Sequence, residues 1–509
     1  MKKKRKISLL GGFLNSVEKV VNALPHPALL FGIFAVTVLI LSAIFSSMGV
    51  SVAHPGTGEE IRVVNLFEKE HLHEIITKMV SNFTDFAPLG IVIVAMLGIG
   101  LAERSGLINA LIRKLVLAAP AKLLTFVLVF AGIMSNMASS VGYVLLVPLG
   151  AVIFIAAKRH PIVGMAAAFA GVSGGYSANL ILGTIDPLLA GLSTEAAQII
   201  YPTYVVNPTA NYYFMIVSTF IIAIAGTWVT EKIVAPRFGE YKGEIDEDDK
   251  KIEKLTKDEK KGMRWALYVS LVFGGILLAG LIPADGILRG EEGSLLKSPV
   301  LKGVVEILFV WAALCGIVYG IATKKFKNDS DVMNAMADSA KSLGAYIVLV
   351  FFAAQFVAYF NWSNLGLVIA VEGANGIMSL NLGLIPLMIL FVLLSGLINL
   401  VMGSASAKWA LLAPIFIPMF MLLGYSPELT QVCYRIGDSV TNIISPMMSF
   451  FALIIAFIQK YDKKAGIGTV VATMMPYSFV FFIVWTLMLV LWLWIGLPLG
   501  PAGPLTYPA

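Results

Sequence analysis

The chain has 509 residues, of which 58% are hydrophobic and only 13% charged, with a formal net charge of +6 at pH 7. Soluble domains carry about 25% charged residues, so close to half the expected charge is missing and a string of ordinary soluble domains is excluded. The lysines and arginines lie beside apolar stretches and not on one basic face, so the positive balance is no nucleic-acid signature.

In chain order, a basic tail (1–27) begins Met1-Lys-Lys-Lys-Arg-Lys6. The first apolar run, about Ala28 to Val50, is long enough to cross a bilayer and is followed by no small-residue cleavage site. It is therefore expected to remain as a span and not to leave as a signal peptide. Further uninterrupted runs lie near 86–102, 123–138, 212–235, 263–283, 303–323, 343–360, 383–402 and 470–495. Together they predict about nine transmembrane helices, since each span needs about 20 apolar residues.

Basic residues at Lys2–Lys6, Arg113/Lys114/Lys122, Arg237–Arg264, Lys324/Lys325/Lys327 and Lys460/Lys463/Lys464 are expected on the cytoplasmic side. The loops near 51–84 and 284–302 carry fewer and are expected outside. These assignments alternate with the N-terminus inside and the C-terminus outside a bacterial inner membrane. The stretch 236–262, containing GEIDEDDKKIEKLTKDEKK, is almost wholly charged yet near neutral. It reads as a solvated cytoplasmic connector between membrane halves 28–235 and 263–509. Cys315 and Cys433 each sit in an apolar run and read as small core residues. His71-Leu-His73-Glu74 reads as part of a solvated outer loop.

Two stretches, 139–192 and 405–458, are apolar but interrupted by Pro, Gly, Ser, Asn and single charges. A shift of 266 positions aligns Ser140 with Ser406, Tyr143 with Trp409, Pro148 with Pro414, Phe154 with Phe420, Pro161 with Pro427 and Gly171 with Gly437. Leucine matches between membrane segments mean little, but two prolines and a glycine in one ungapped register favour a duplicated unit. Paired Gly/Pro-interrupted segments in two halves are a sequence pointer to a transporter's binding site. Each proline removes a backbone donor, and such breaks persist at membrane depth only where protein or a wet cavity surrounds them. A pair of re-entrant hairpins with unwound helix ends is therefore predicted.

Within these stretches the ionisable residues include Asp186, Lys408, Arg435 and Asp438. A charge at the bilayer centre costs roughly 2.5–3.5 kcal/mol on insertion scales, so it is seldom idle. Arg435 and Asp438 are three apart on one helix face. They read either as a self-satisfied pair or as a site in which Arg435 receives a substrate carboxylate and Asp438 helps hold a cation or amine. Asp186, in Gly183-Thr-Ile-Asp-Pro187 after Ser177-Ala-Asn179, suits Na⁺ or a proton relay, or else is a turn carboxylate at the membrane surface. Trp409 reads as packing or as a ring for an aromatic ligand, and Lys408 as snorkelling to an interface. No P-loop or H-E-x-x-H motif is present, which argues against an ATPase or a metal-dependent hydrolase of those kinds.

At Pro25-His-Pro27, SANLILGTIDPLLAGLSTEAA, GSASAKWALLAPIFIPMFMLLGYSPE and YRIGDSVTNIISPM the sequence resembles the p-aminobenzoyl-glutamate transporter (AbgT) family, over essentially the whole chain. The resemblance implies an all-α polytopic membrane protein of nine spans plus two helical hairpins in an inverted internal repeat. It further implies a homodimer among membrane lipids, and a small-molecule substrate with an aromatic amine and a glutamate tail. No cofactor or enzymatic activity is expected, only a coupling ion, H⁺ or Na⁺, with Na⁺ near Asp186. The family's functional positions carry over to Asp186 and to Asn399, Ser406, Trp409, Pro427, Arg435, Asp438 and Pro446, the latter seven as the substrate side. With the reading of the residues themselves, ion coupling is expected at Asp186, Asp438 and Asn179. Thr441-Asn442-Ile-Ile-Ser-Pro446 is more polar than in some members, which bears on substrate preference. The function expected is secondary active transport of p-aminobenzoyl-glutamate. Efflux of p-aminobenzoate and sulfonamide antimetabolites is the alternative, with an ion channel or an intramembrane enzyme as rivals of other classes.

Overall fold

The computed structural model describes residues 25–53, 60–137, 142–241, 254–295 and 297–507. Most of the basic tail, the centre of the charged connector and Ser140 lie outside the described residues. Nearly everything described is helical; the one sheet among the described residues pairs β1 (Ser51–Ala53) with β2 (Glu60–Arg62).

Twenty-one α-helices follow one another among the described residues. They are α1 (Pro27–Ser47), α2 (Lys69–Thr84), α3 (Ala87–Ser105), α4 (Leu107–Leu117), α5 (Leu124–Met134), α6 (Val147–Ala156) and α7 (Pro161–Phe169), then α8 (Ile185–Ala197), α9 (Tyr212–Val229), α10 (Ala235–Phe238), α11 (Lys257–Leu281), α12 (Pro299–Lys302), α13 (Val304–Ala322) and α14 (Asp329–Lys341). The remainder are α15 (Gly344–Trp362), α16 (Leu365–Ser379), α17 (Leu384–Asn399), α18 (Ala405–Leu422), α19 (Pro427–Asn442), α20 (Phe451–Gln459) and α21 (Ile467–Ile495). Proline opens several of them at the first turn, where its missing N–H costs nothing, and α11 starts at a capping box made by Thr256 and Glu259.

Among the described residues, eight helices are long and apolar enough to cross a membrane, or nine if α4 and the segment Ala121–Met137, bent by 112°, form one broken span. Their outward faces are apolar too: Trp265, Leu267, Leu271, Val272, Ile276 and Leu278 of α11 are all exposed. A face of that kind is tolerable where lipid and not water is the solvent.

Three expectations differ from the structure. The run 383–402 forms α17, only 16 residues long. Conversely, 405–422 was expected to break at its prolines, yet α18 is continuous with Pro414 and Pro418 inside it. The carbonyls of Ala410 and Pro414 lose their in-helix donors, but both prolines are buried in protein, where such a defect survives. Finally, His71 and Glu74 are not in a loop but on α2, where Glu74 bonds both His71 (3.0 Å) and Lys78 (2.8 Å), contacts one turn apart that support a helix.

The two interrupted stretches fold as hairpins of the same local geometry. In one, α6 turns into α7 through Lys158 at φ +57°; in the other, α18 turns into α19 through Gly424 at φ +83°. The Arg159 amide donates to the Phe154 carbonyl (2.7 Å), and the Tyr425 amide donates to the Phe420 carbonyl (2.9 Å). His160 and Ser426 then cap helices that both begin with proline, Pro161 and Pro427. Each of these pairs is separated by the same 266 positions.

The hairpins seat against their neighbours through the paired glycines. A Cβ on Gly171 would lie 2.2 Å from the Val129 carbonyl oxygen of α5, and one on Gly437 would lie 2.3 Å from the Val392 carbonyl oxygen of α17. Gly171→Ala and Gly437→Ala should therefore each cost about 1–3 kcal/mol by overpacking. Gly376→Ala, where a Cβ would meet open space, should cost nothing. Thermal unfolding of the detergent-solubilised variants checks this; unchanged midpoints for both hairpin glycines would mean that the packing is not as close as described.

Candidate functional site

Between the hairpins the helices unwind. Residue pairs from the two halves meet on α19: the amide of Ser177, in the unwound stretch before α8, donates to Ser439 Oγ (3.1 Å), and Ser193 Oγ of α8 donates to Gln431 Oε1 (2.7 Å). Asp186 is in the first turn of α8 and 1% exposed. Arg435 (3% exposed) and Asp438 (1%) stand one turn apart on α19.

Arg435 and Asp438 face different partners. Arg435 Nη2 donates to Asp186 Oδ1 at 2.7 Å, joining α19 to α8 across the halves. The second Asp186 oxygen accepts from the Gly183 amide at 2.7 Å. Asp438 is instead paired with Lys408 of α18, whose ammonium also donates to Asn399 Oδ1 of α17. Lys408 is fully buried and does not snorkel. Asn399 Nδ2 lies within hydrogen-bonding distance of the Asp438 carbonyl (2.7 Å) and of Thr441 and Asn442 (both 2.9 Å). Two cations and two carboxylates thus share one buried centre.

The centre is not fully satisfied. Nε and Nη1 of Arg435 are buried with no hydrogen-bond partner among the described residues. An unpaired buried donor on a charged group costs several kcal/mol by the usual scale. A planar fork with free donors is a receptor for a second carboxylate.

Trp409 is fully buried; its indole N–H donates to Ser193 Oγ (3.0 Å) and reaches the Leu189 carbonyl (3.3 Å), and its ring stacks on Tyr434 at 4.4 Å. Asn179 Oδ1 accepts from the Leu180 (2.9 Å) and Ile181 (3.3 Å) amides. Pro427 begins α19, and Pro446 lies in the unwound segment after it, where Ser445 Oγ donates to the Asn399 carbonyl (3.0 Å).

Ser406 lines a cavity of about 380 Å³ with Tyr143, Tyr176, Thr184, Asn442 and Phe450. Its wall touches the charged centre: Thr184 and Ile185 directly precede Asp186, and Asn442 Nδ2 lies 3.4 Å from Asp438 Oδ2. The pairing of Lys408 with Asp438 and the cavity's aromatic lining were missed from sequence. A lysine flanked by apolar residues looks the same whether it ends in a headgroup layer or in a buried pair.

A helical bundle that crosses the membrane many times, with buried, paired charges beside a polar cavity, is the architecture of a membrane transporter. The chain belongs to the AbgT putative transporter family, whose model matches residues 12–507. It is 40% identical over 486 residues to the p-aminobenzoyl-glutamate transport protein of Escherichia coli K12, covering 95% of each chain. Two solved structures share the fold. The Alcanivorax borkumensis YdaH transporter has 44% identity, a TM-score of 0.89, and coverage of 94% of this chain and 100% of that one. Neisseria gonorrhoeae MtrF, described as illuminating a class of antimetabolite efflux pumps, has 52% identity, a TM-score of 0.92, and coverage of 97% and 100%.

The second ion pair makes a stability prediction. Lys408→Met leaves Asp438 buried without its cation and should cost about 3–5 kcal/mol, whereas the double variant Lys408→Met/Asp438→Leu should recover most of that loss. A double-mutant cycle on thermal unfolding in detergent checks it; additive losses would show that the two groups do not act as a pair.

Proposed function

We propose that this transporter carries p-aminobenzoyl-glutamate or a related aryl carboxylate across the bacterial inner membrane, coupled to H⁺ or Na⁺, by alternating access in a homodimer. In this reading the N-terminus is cytoplasmic and the C-terminus outside. Arg435, Asp438, Asn399, Ser406, Trp409, Pro427 and Pro446 form the substrate side, and Asp186, Asp438 and Asn179 the ion side. The name of the Escherichia coli relative supports the substrate. The observation that carries the mechanism is the buried Arg435–Asp186 bridge, in which Arg435 keeps two free donors.

With Arg435 and the Gly183 amide on its two oxygens, Asp186 is already charge-compensated. A substrate carboxylate that takes over Arg435 leaves Asp186 a buried anion, which must then bind a proton or Na⁺. Substrate and ion therefore favour each other's binding, which is the differential affinity that coupling needs. The similarity to MtrF supports a second reading, outward movement of an aromatic antimetabolite through the same site.

Uptake into proteoliposomes under separately imposed Na⁺ and pH gradients tests both the ion and the direction. Asp186→Asn should reduce gradient-driven accumulation to background. Arg435→Lys, which loses the bidentate fork, should raise KM roughly tenfold, the worth of one charged hydrogen bond. Full accumulation by Asp186→Asn refutes its coupling role. Hydrolysis of the substrate by the purified protein, or ion currents far above transporter rates, would replace transport with an enzyme or a channel.

A further inference from the structure

Recognition of an aryl substrate needs a ring that a ligand can reach, and Trp409 in this conformation is sealed by Tyr434, Ser193 and Leu189. The rings that line the cavity are Tyr143, Tyr176, Tyr346 and Phe450. Tyr143 and Phe450 come from opposite halves of the chain and stack nearly parallel, centroids 4.5 Å apart and 11° between planes. Tyr143 is itself buried, at 5% exposure, with Phe450 on its face and Phe169 edge-on at 6.3 Å, so the accessible ring of the pair is that of Phe450. Phe450 is only half-buried, on the unwound segment that follows α19. Tyr143 also stands 266 positions before Trp409, so the same register of the two hairpins bears an aromatic ring in each, one opening on the cavity and one closed.

The polar groups are placed to complement a ring held there. Ser404, Ser406 and Asn442 share the cavity wall, and Asn442 leads to Asp438. We propose that the Tyr143–Phe450 pair is the aromatic recognition element of the cavity. The aryl ring of the substrate stacks against it, while the carboxylate tail passes Ser406 and Asn442 towards Arg435. The assignment rests on reading this cavity as the substrate's route. It makes Phe450 a specificity-determining residue in contact with the ring and Tyr143 the positioning residue stacked beneath it, neither of them in contact with the coupling ion.

An aromatic pair is favoured over an aliphatic contact of similar area by an amount equivalent to about a two- to tenfold change in affinity. The test compares p-aminobenzoyl-glutamate with its ring-saturated analogue, cyclohexanecarbonyl-glutamate, by calorimetric binding to the full-length protein and by proteoliposome uptake. Wild type should prefer the aryl compound. Phe450→Leu and Tyr143→Leu, which keep apolar bulk, should weaken it about two- to tenfold, leave the saturated analogue nearly unchanged, and so collapse the preference; Tyr143→Phe should retain it.

Equal weakening of both compounds, or a lower transport rate at unchanged affinity, would overturn the proposal in favour of a packing or gating role. An unchanged preference in the Leu variants would overturn it outright. If wild type binds neither compound, the substrate reading itself falls and this assignment falls with it. Thermal unfolding of each variant separates misfolding from lost recognition, and Tyr143→Phe carries the comparison should the Leu variants not fold.

Discussion

The bridge between Arg435 and Asp186 is the contact around which the rest of the site is arranged. Neither residue can stand alone at 3% and 1% exposure, because an isolated buried charge costs several kcal/mol even after relaxation. Each comes from a different half of the chain, so the need to pair the charges also fixes α19 against α8. Lys408 and Asp438 repeat the arrangement within the second half, holding α18 to α19 with Asn399 of α17 between them. With two cations and two carboxylates the centre is close to neutral as a whole. An incoming carboxylate upsets that balance unless a cation arrives with it.

The positions of the hairpins follow from backbone contact more than from side-chain fit. Gly171 against α5 and Gly437 against α17 allow approaches that any Cβ would block, and the turns ahead of them use the same backbone hydrogen bonds. The elements on either side are not so constrained: residues 175–184 and 443–450 are largely without regular helix, and they carry Thr184, Asn442's successors and Phe450 to the cavity. Rigid hairpins beside irregular segments place any change of shape in those segments, where few backbone hydrogen bonds have to be exchanged.

How much of this could be read beforehand depends on the kind of signal. Apolar runs of about 20 residues mark spans because the bilayer sets their length, and seven of the eight span-length helices lie on such runs, α18 being the exception. Asp186, Arg435 and Asp438 stood out because charge is costly there. Their partners did not: spacing on α19 brings Arg435 within reach of Asp438, yet each is used by a residue distant in sequence, Asp186 or Lys408. Helical spacing reports only which groups share a face, whereas burial and crossing geometry decide which ions meet. The continuity of α18 through Pro414 and Pro418 was illegible for a related reason, since a proline's cost depends on what surrounds the carbonyl it leaves free.

The same reasoning explains why Trp409 belongs to the site without touching the cavity. Its indole N–H is committed to Ser193, Ser193 donates to Gln431, and Gln431 donates through its Nε2 to Asn211 Oδ1 at 2.7 Å. That chain runs from α18 through α8 and α19 to the start of α9, all of it buried. Removing any member strands a polar partner away from water, at a cost of about 1–3 kcal/mol. Trp409 can therefore turn towards a ligand only if α18 and α8 move apart together, and such a movement would also strain the Arg435–Asp186 bridge that joins α8 to α19. The charged centre and the aromatic network are consequently not independent features: they constrain the same helix from two sides, and whatever loosens one lowers the cost of rearranging the other.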